Sequence, residues 1–420
     1  MNRWIATTTS YFDGHVYHND GPYQLLIENG RILSILTGLS PLTGLSPGVP
    51  EAFRTDKVPI VSAEFMMPGL VEAHCHLFLD GGELDFERRS NYLNASWETM
   101  LETARRNVTA SIDAGITLIR DAGDRYGINH RIREECSSPT IRSPGLGLRR
   151  PKKYGAFMAR EVETQAEVRN AINEIAQTAD DLKIILTGII DFEAGEVTNA
   201  PQFDLDMLTL MVELAKKQGL PTFAHCSGIE GLKLAVQAGV DSIEHGFFMQ
   251  REILEVMARK SIAWVPTFSP VHFQWQRPEL AGWNASTLAN LRAIVDAHLT
   301  QIALAHKLGV PIVAGSDAGS HGVCHGKALV DELFFLLQAG LPMDAVLRSA
   351  TSTPRSLWGV ESTDIIASNP AEFVALGASP FSCQDALRDV QWVVQKGCFL
   401  KSIHALPEAL CHSGVNASCI

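Results

Sequence analysis

MMPGLVEAHCHLFLD, residues Met66 to Asp80, sets two imidazoles one residue apart at the end of an apolar run. Met-Met-Pro-Gly-Leu-Val-Glu-Ala reads as a short, largely buried strand. Residues i and i+2 of a strand leave the same face. The rings of His74 and His76 therefore project together, close enough to grip one ion. Taken alone, the pair fits equally well two partly exposed histidines at a strand end, satisfied by backbone and water. The rest of the chain has to decide.

From Phe65 onward, apolar strand-like runs alternate with amphipathic helical stretches. The strand candidates are FMMPGLVEAHCH, ITLIRDAG, TIRSPGLGL, DLKIILTG, LPTFAHCSG, VDSIEHGF, IAWVPTF and VPIVAGSDAG. Between them lie helical patterns such as SWETMLETARRNVTASIDAG, EVRNAINEIAQTA and LDMLTLMVELAKKQG. The last closes on a cationic turn followed by a C′ glycine. Eight strand–helix alternations over about 290 residues fit an α/β fold of the (β/α)8 TIM-barrel kind better than an open doubly wound sheet. No Gly-x-Gly-x-x-Gly follows the first strand, so a dinucleotide fold loses its main support.

The flanks have a different texture. LLIENGRILSIL (Leu25–Leu36) is a hairpin pattern around Asn-Gly. The tandem LTGLSPLTGLSPG that follows reads as an expanded loop. After about Trp358 strand texture returns in EFVALG and VQWVVQKGCFL. The expected organisation is a barrel over residues 65–358 and a small β-sandwich domain from residues 1–64 plus 359–420.

Hydrophobic residues make up 46% and charged residues 20% of the chain, a soluble globular composition. The net charge of −12 supplies no basic surplus to neutralise phosphates, which argues against a nucleic-acid partner. No window approaches a membrane span, and MNRWIATTTSYFDGHVYHND lacks the apolar core of a leader. The eight cysteines are scattered without a Cys-x-x-Cys pair. Reduced thiols and a cytoplasmic location are the expectation. Sequons at Asn94, Asn107, Asn284 and Asn416 weigh little without a leader.

In a barrel of this kind the active site lies at the C-terminal ends of the strands. His74 and His76 end strand one, Lys183 sits in strand four, His225 ends strand five, His245 ends strand six and Asp317 ends strand eight. Singly, each reads more simply as a hydrogen-bonded core histidine, a snorkelling lysine or a helix-capping aspartate. Five metal-ligand types and a lysine at equivalent places make coincidence a poor account.

With PGLVEAHCH, LKIILTG, FAHCSG, SIEHG and AGSDAG in place, the sequence resembles the amidohydrolase superfamily over nearly its whole length. DIIASNPAEFVAL resembles a worn form of the family's return strand, which more often reads Gly-x-x-Ala-Asp at the place of Asn369, Ala371 and Glu372. The resemblance implies two divalent metal ions, zinc first among them. His74, His76 and Asp317 would hold one ion and His225 and His245 the other, with carboxylated Lys183 as the bridge. The chemistry is coherent, because an ammonium has no acceptor, whereas a carbamate offers two anionic oxygens. A metal-bridging hydroxide would attack the carbonyl of a small-molecule substrate, and Asp317 would move the proton to the leaving amine. An amide or related C–N bond, as in an N-acyl amino acid or dipeptide, is the implied target, and a homo-oligomer the implied assembly.

Order and spacing most resemble the imidazolonepropionase-like branch with its proline and arginine/lysine dipeptidases. In AGSDAGSHGVCHGKALVDEL, His325-Gly326 and the helix carrying Glu332 match a His-Gly that helps form the site; an exposed loop histidine is the equal alternative. His321 reads as an ordinary loop residue. Two departures bear on substrate. Ser227 stands where dipeptidases often carry tyrosine, and PGLGLRRPKKYGAFMARE replaces a Gly-Gly-His-Gly loop. Within that basic run, Arg149, Arg150, Lys152, Lys153 and Tyr154 are candidates to bind a substrate carboxylate, at least one of them being expected to do so, while most of its members read as a solvated loop. Arg120 reads equally as a structural partner of Asp121 or a neighbouring loop. The rival on the same fold is a mononuclear deaminase or cyclic amidine hydrolase; many such deaminases carry His-x-x-Glu after strand five, but position 228 is glycine and the next acid is Glu230. A lactone or phosphotriester hydrolase on the same fold stays open. A non-enzymatic barrel is disfavoured because every expected ligand type is present.

Overall fold

The computed structural model describes residues 3–55, 57–403, 405–407 and 410. The chain divides into two compact units, residues 1–71, 109–118 and 342–420, and residues 72–108 and 119–341.

In the first unit, β1 (Arg3–Phe12) pairs with the short β2 (Tyr17–His18), antiparallel with β3 (Tyr23–Glu28) and parallel with β5 (Ile60–Pro68). The hairpin from β3 to β4 (Arg31–Thr37) turns at Asn29-Gly30, whose φ angles of 50° and 79° are the left-handed pair that this dipeptide tolerates. The expected strand FMMPGLVEAHCH is in fact two. β5 ends at Pro68, and β6 (Leu70–Cys75) begins after Gly69, where a Cβ would lie 2.1 Å from Thr117 Oγ1. Pro68 offers no amide to continue a ladder, and only glycine admits the close approach.

Most of the second unit is α/β with parallel pairing. β6, β7 (Ile116–Asp121) and β8 (Thr140–Arg142) form a three-stranded sheet. β9 (Gly147–Arg149), β10 (Ala159–Glu161), β11 (Leu182–Ile185), β12 (Thr222–Cys226), β13 (Ser242–His245) and β14 (Ala263–Val265) form a parallel sheet in the order β10-β9-β11-β12-β13-β14. β6, β7, β11, β12 and β13 are buried along their whole length, which is why they read as unbroken apolar runs. Their connecting helices carry the expected ends. Thr164 and Glu167 form a capping box before Gln165–Ile175, and Asp204 caps Leu205–Lys217. That helix ends with Lys216 and Lys217 in its last turn, and Gly219 follows at φ 73°.

The ladders do not by themselves close into one ring. TIRSPGLGL is split into β8 and β9 around Pro144 and Gly145. VPIVAGSDAG carries isolated parallel bridges rather than a strand. Val313 N donates to Trp264 O on one side, while Ala73 N donates to Ala314 O and Asp317 N to His74 O on the other.

β15 (Phe373–Leu376), β16 (Val390–Gln395) and β17 (Cys398–Ser402) return to the first unit and complete a single eight-stranded sheet. A second facing sheet is not among its described ladders. Strands β17 and β1 stand four places apart, about 19 Å in a flat sheet, yet the Trp4 and Phe399 rings lie 5.2 Å apart. The sheet therefore coils over a core of Trp4, Leu25, Ile27, Phe373, Trp392 and Phe399. Glu372 is buried there against Arg355 and accepts from Thr117 Oγ1 and Gln395 Nε2.

Candidate active site

All the ligand-type residues singled out from the sequence lie in the second unit, and six of them converge. The Nε2 atoms of His74 and His76 each lie 3.7 Å from Asp317 Oδ1. Lys183 Nζ lies 3.3 Å from His74 Nε2. The ring of His245 is 5.0 Å from that of His74 and 4.5 Å from that of His225. Asp317 and His245 have φ angles of 54° and 68°, unusual for residues with side chains. Strain of this kind persists where the surroundings over-determine it. Tight packing sets the floor: a Cβ on Gly315 would lie 2.6 Å from Val265 Cγ1 and 2.9 Å from His74 N.

Hydrogen bonds at the far side of each ring decide which nitrogen faces inward. His74 Nδ1 is 2.6 Å from the carboxylate of Glu244, and His76 Nδ1 is 3.2 Å from the carbonyl of Gly123. Both partners only accept, so both Nδ1 atoms carry the proton and leave the Nε2 lone pairs free. His245 Nδ1 meets Thr267 Oγ1 at 2.7 Å, and its buried Nε2 has no hydrogen-bond partner. Burial, then the nearby Lys183, holds His76 and His225 down to about 3. His74 and His245 are pushed well down, first by burial. Neutral imidazoles with converging lone pairs fit a divalent cation, and His74, His76 and Asp317 can hold one between them.

Lys183 is fully buried, its Nζ 4.8 Å from the centre of the Phe223 ring. Burial lowers its pKa, opposed by Glu244 and Asp317, and burial raises that of Asp317. Sequence reading missed the residues behind this set. Glu244 is wholly buried and takes hydrogen bonds from His74, from Arg120 Nη2 at 3.0 Å and from Ser242 Oγ at 2.6 Å. The signal was present in SIEH, an acid inside a fully buried strand beside a histidine. Arg120 pairs with Glu244, while the carboxylate of Asp121 accepts from Leu77 N and Gly123 N. Glu332 accepts from the Phe268 and Ser269 amides.

The substrate-side candidates divide. The Tyr154 ring lies 5.1 Å from that of His225 in a tilted contact and lines a cavity of about 220 Å³ that opens onto His225, His245 and Asp317. Ser227 and His321 line it too, so His321 is nearer the site than expected. His325 is buried, not an exposed loop residue, and lies by the His76 backbone. Arg149 and Arg150 are not among the residues that line the cavity. Arg149 donates to Ala159 O, Lys153 O and Glu161, and Arg150 to Gln202 O and Glu163 O. Both brace the loop after β9, where backbone carbonyls outcompete solvent for their donors.

The fold gathers ligand-type side chains at the ends of parallel strands, and His74, His76 and Asp317 could hold a metal ion between them. Residues 65–396 match the amidohydrolase family, and the chain belongs to that family, which supports a hydrolase of carbon–nitrogen bonds. An uncharacterised protein of Mycobacterium tuberculosis is 28% identical over 353 residues, covering 82% of this chain and 89% of its own. Ochratoxinase of Aspergillus niger is 30% identical over 336 residues, covering 72% and 66%. The fold is similar to that of a Xaa-Pro dipeptidase solved with methionine in its active site, at a TM-score of 0.80 and 21% identity, covering 95% and 100%. No helix among the described residues is long and apolar enough to cross a membrane.

Proposed function

We propose that the chain is a binuclear metal-dependent hydrolase of an amide or related C–N bond in a small molecule. The observation that carries the reading is the convergence of the His74 and His76 Nε2 atoms on Asp317, with Lys183 Nζ 3.3 Å from the His74 nitrogen. His74, His76 and Asp317 would hold one ion and His225 and His245 a second. Lys183, whose burial favours the free amine, would join them as the carbamate it forms with CO2, releasing one proton. Divalent ions so held supply Lewis-acid polarisation of a carbonyl and an acidified water at neutral pH.

The chain's own groups do the rest. Ser320 Oγ donates to Asp317 Oδ2 at 3.1 Å, which turns Oδ1 toward the histidines. Asp317, beside both histidine nitrogens, would take a proton from the attacking water and return it to the departing nitrogen. Tyr154 and Phe247 wall the cavity and limit water around the scissile bond. In the same reading the two parallel sheets and the bridged segment 310–318 together make the (β/α)8 barrel, and the coiled terminal sheet serves as the sandwich-like second domain.

The test is hydrolysis of a panel of N-acyl amino acids, dipeptides and neutral amides. Activity that disappears with a chelator and returns with zinc is expected. Activity that survives complete metal removal would overturn the proposal. Deamination in place of amide cleavage would redirect it to the mononuclear alternative.

A further inference from the structure

We infer that the substrate is uncharged and apolar on the side that fills the cavity, a neutral acyl amide or anilide rather than a molecule with a free carboxylate there. The inference rests on the proposed hydrolase reading and narrows it. The cavity beside His225, His245 and Asp317 is walled by Ile190, Phe192, Phe247, Pro270 and Val271. Its polar atoms away from the ligand histidines come from neutral groups, among them Ser227, Thr267 and Gln274. No lysine or arginine is among the described residues that line it, and its one acid is Asp317.

A carboxylate held at the apolar wall, away from the ions proposed at His225, His245 and Asp317, loses its water and finds no lysine or arginine among the described lining residues. Two nearby arginines, Arg149 and Arg150, are committed elsewhere, their guanidinium donors held by Ala159 O, Lys153 O, Glu161, Gln202 O and Glu163 O. Freeing either one would strand those acceptors. The apolar wall is also continuous with a packed cluster. Phe247 and Val271 pack with Leu291, Ile294 and Val295, and Ile190 and Phe192 rest against them. The wall is therefore shaped by the core, and a methyl-ended chain replaces water there without leaving a polar group unpaired. Ile189, at the same cavity, is 60% exposed and marks its solvent side.

The experiment compares two 4-nitroanilides with the same scissile bond and leaving group. One carries a hexanoyl chain. In the other, the adipic acid monoanilide, a carboxylate replaces the terminal methyl. The zinc-loaded full-length chain should cleave the neutral anilide with a kcat/KM at least about 100-fold higher, the scale of burying an unpaired charge. Ile189→Arg, a change at an exposed position, should reduce that ratio at least about tenfold by supplying the missing cation. Equal or reversed preference in the wild type would overturn the inference and leave the hydrolase reading standing. If neither anilide is cleaved, the hydrolase reading stands or falls on its own panel, and calorimetric Kd values for the same uncleaved pair decide the inference. Tighter binding of the neutral anilide would support it, and tighter binding of the carboxylate would refute it.

Discussion

Replacing Glu244 by alanine strands a cation. Arg120 is 1% exposed and Glu244 not exposed at all, and their contact is 3.0 Å. Removing one partner of a buried pair costs about 3–5 kcal/mol, because the remaining charge stays in a poorly polarisable surrounding. Two contacts soften the loss. Arg120 also donates to Ala73 O at 2.9 Å and lies 4.4 Å over the Phe223 ring, a stacking worth about 1–2 kcal/mol when desolvated. These put the expected destabilisation near 3 kcal/mol for Glu244→Ala, read from urea unfolding. The same substitution frees the His74 ring, and loss of an outer partner of this kind weakens metal binding about 10–100-fold. Adding Arg120→Met separates the two effects. The double variant should regain about 2 kcal/mol, since the stranded charge is gone, while its metal affinity stays low. A Glu244→Ala protein within 1 kcal/mol of wild type that binds metal as tightly would refute the reasoning.

Other consequences are sharp enough to measure. Gly315→Ala drives a Cβ to within 2.6 Å of Val265 and 2.9 Å of His74 N; it should cost about 1–3 kcal/mol in urea unfolding and lower bound metal measured by elemental analysis. His298 is buried, 3.9 Å from Phe247 in a stacked contact, and burial holds it down to about 3. It stays neutral in the fold but protonates in the unfolded chain below its ordinary value of about 6.5, so stability is lost as pH falls from there toward 3, by about 1.4 kcal/mol per unit. His298→Phe should flatten the pH dependence of urea unfolding by that slope between pH 6.5 and 4. Arg149→Met should leave KM unchanged and cost about 1–3 kcal/mol of stability through Ala159 O, Lys153 O and Glu161.

The convergence of the candidate ligands was legible because each one ends, or sits within, an apolar run that has no other use for it: LPTFAH, VDSIEH and VPIVAGSD set a polar group at a buried strand end. Parallel strands buried on both faces make that contrast sharp. What lies behind the ligands was hidden, since the partnership of Glu244 with His74 and Arg120 joins β13 to β6 and β7 across 170 and 124 residues of sequence. The hydrogen bonds of Arg149 and Arg150 were hidden for a related reason. A basic run looks the same whether its donors meet solvent, a substrate or the carbonyls of its own loop. The split at Pro68-Gly69 was readable in principle, because proline before glycine interrupts a ladder. The coiling of the terminal sheet depends on Trp4 meeting Phe399, a contact between the two ends of the chain that local pattern does not encode.

The central claim is a pair of ions joined through Lys183, and metal content measures it directly. The full-length chain, purified without chelator from cells grown with zinc and supplied with bicarbonate, should carry about two ions per chain by elemental analysis. Lys183→Ala should lose a clear share of them, with partial return when a short-chain carboxylic acid is added to stand in for the carbamate. One ion per chain, unchanged by removal of Lys183, would contradict the account.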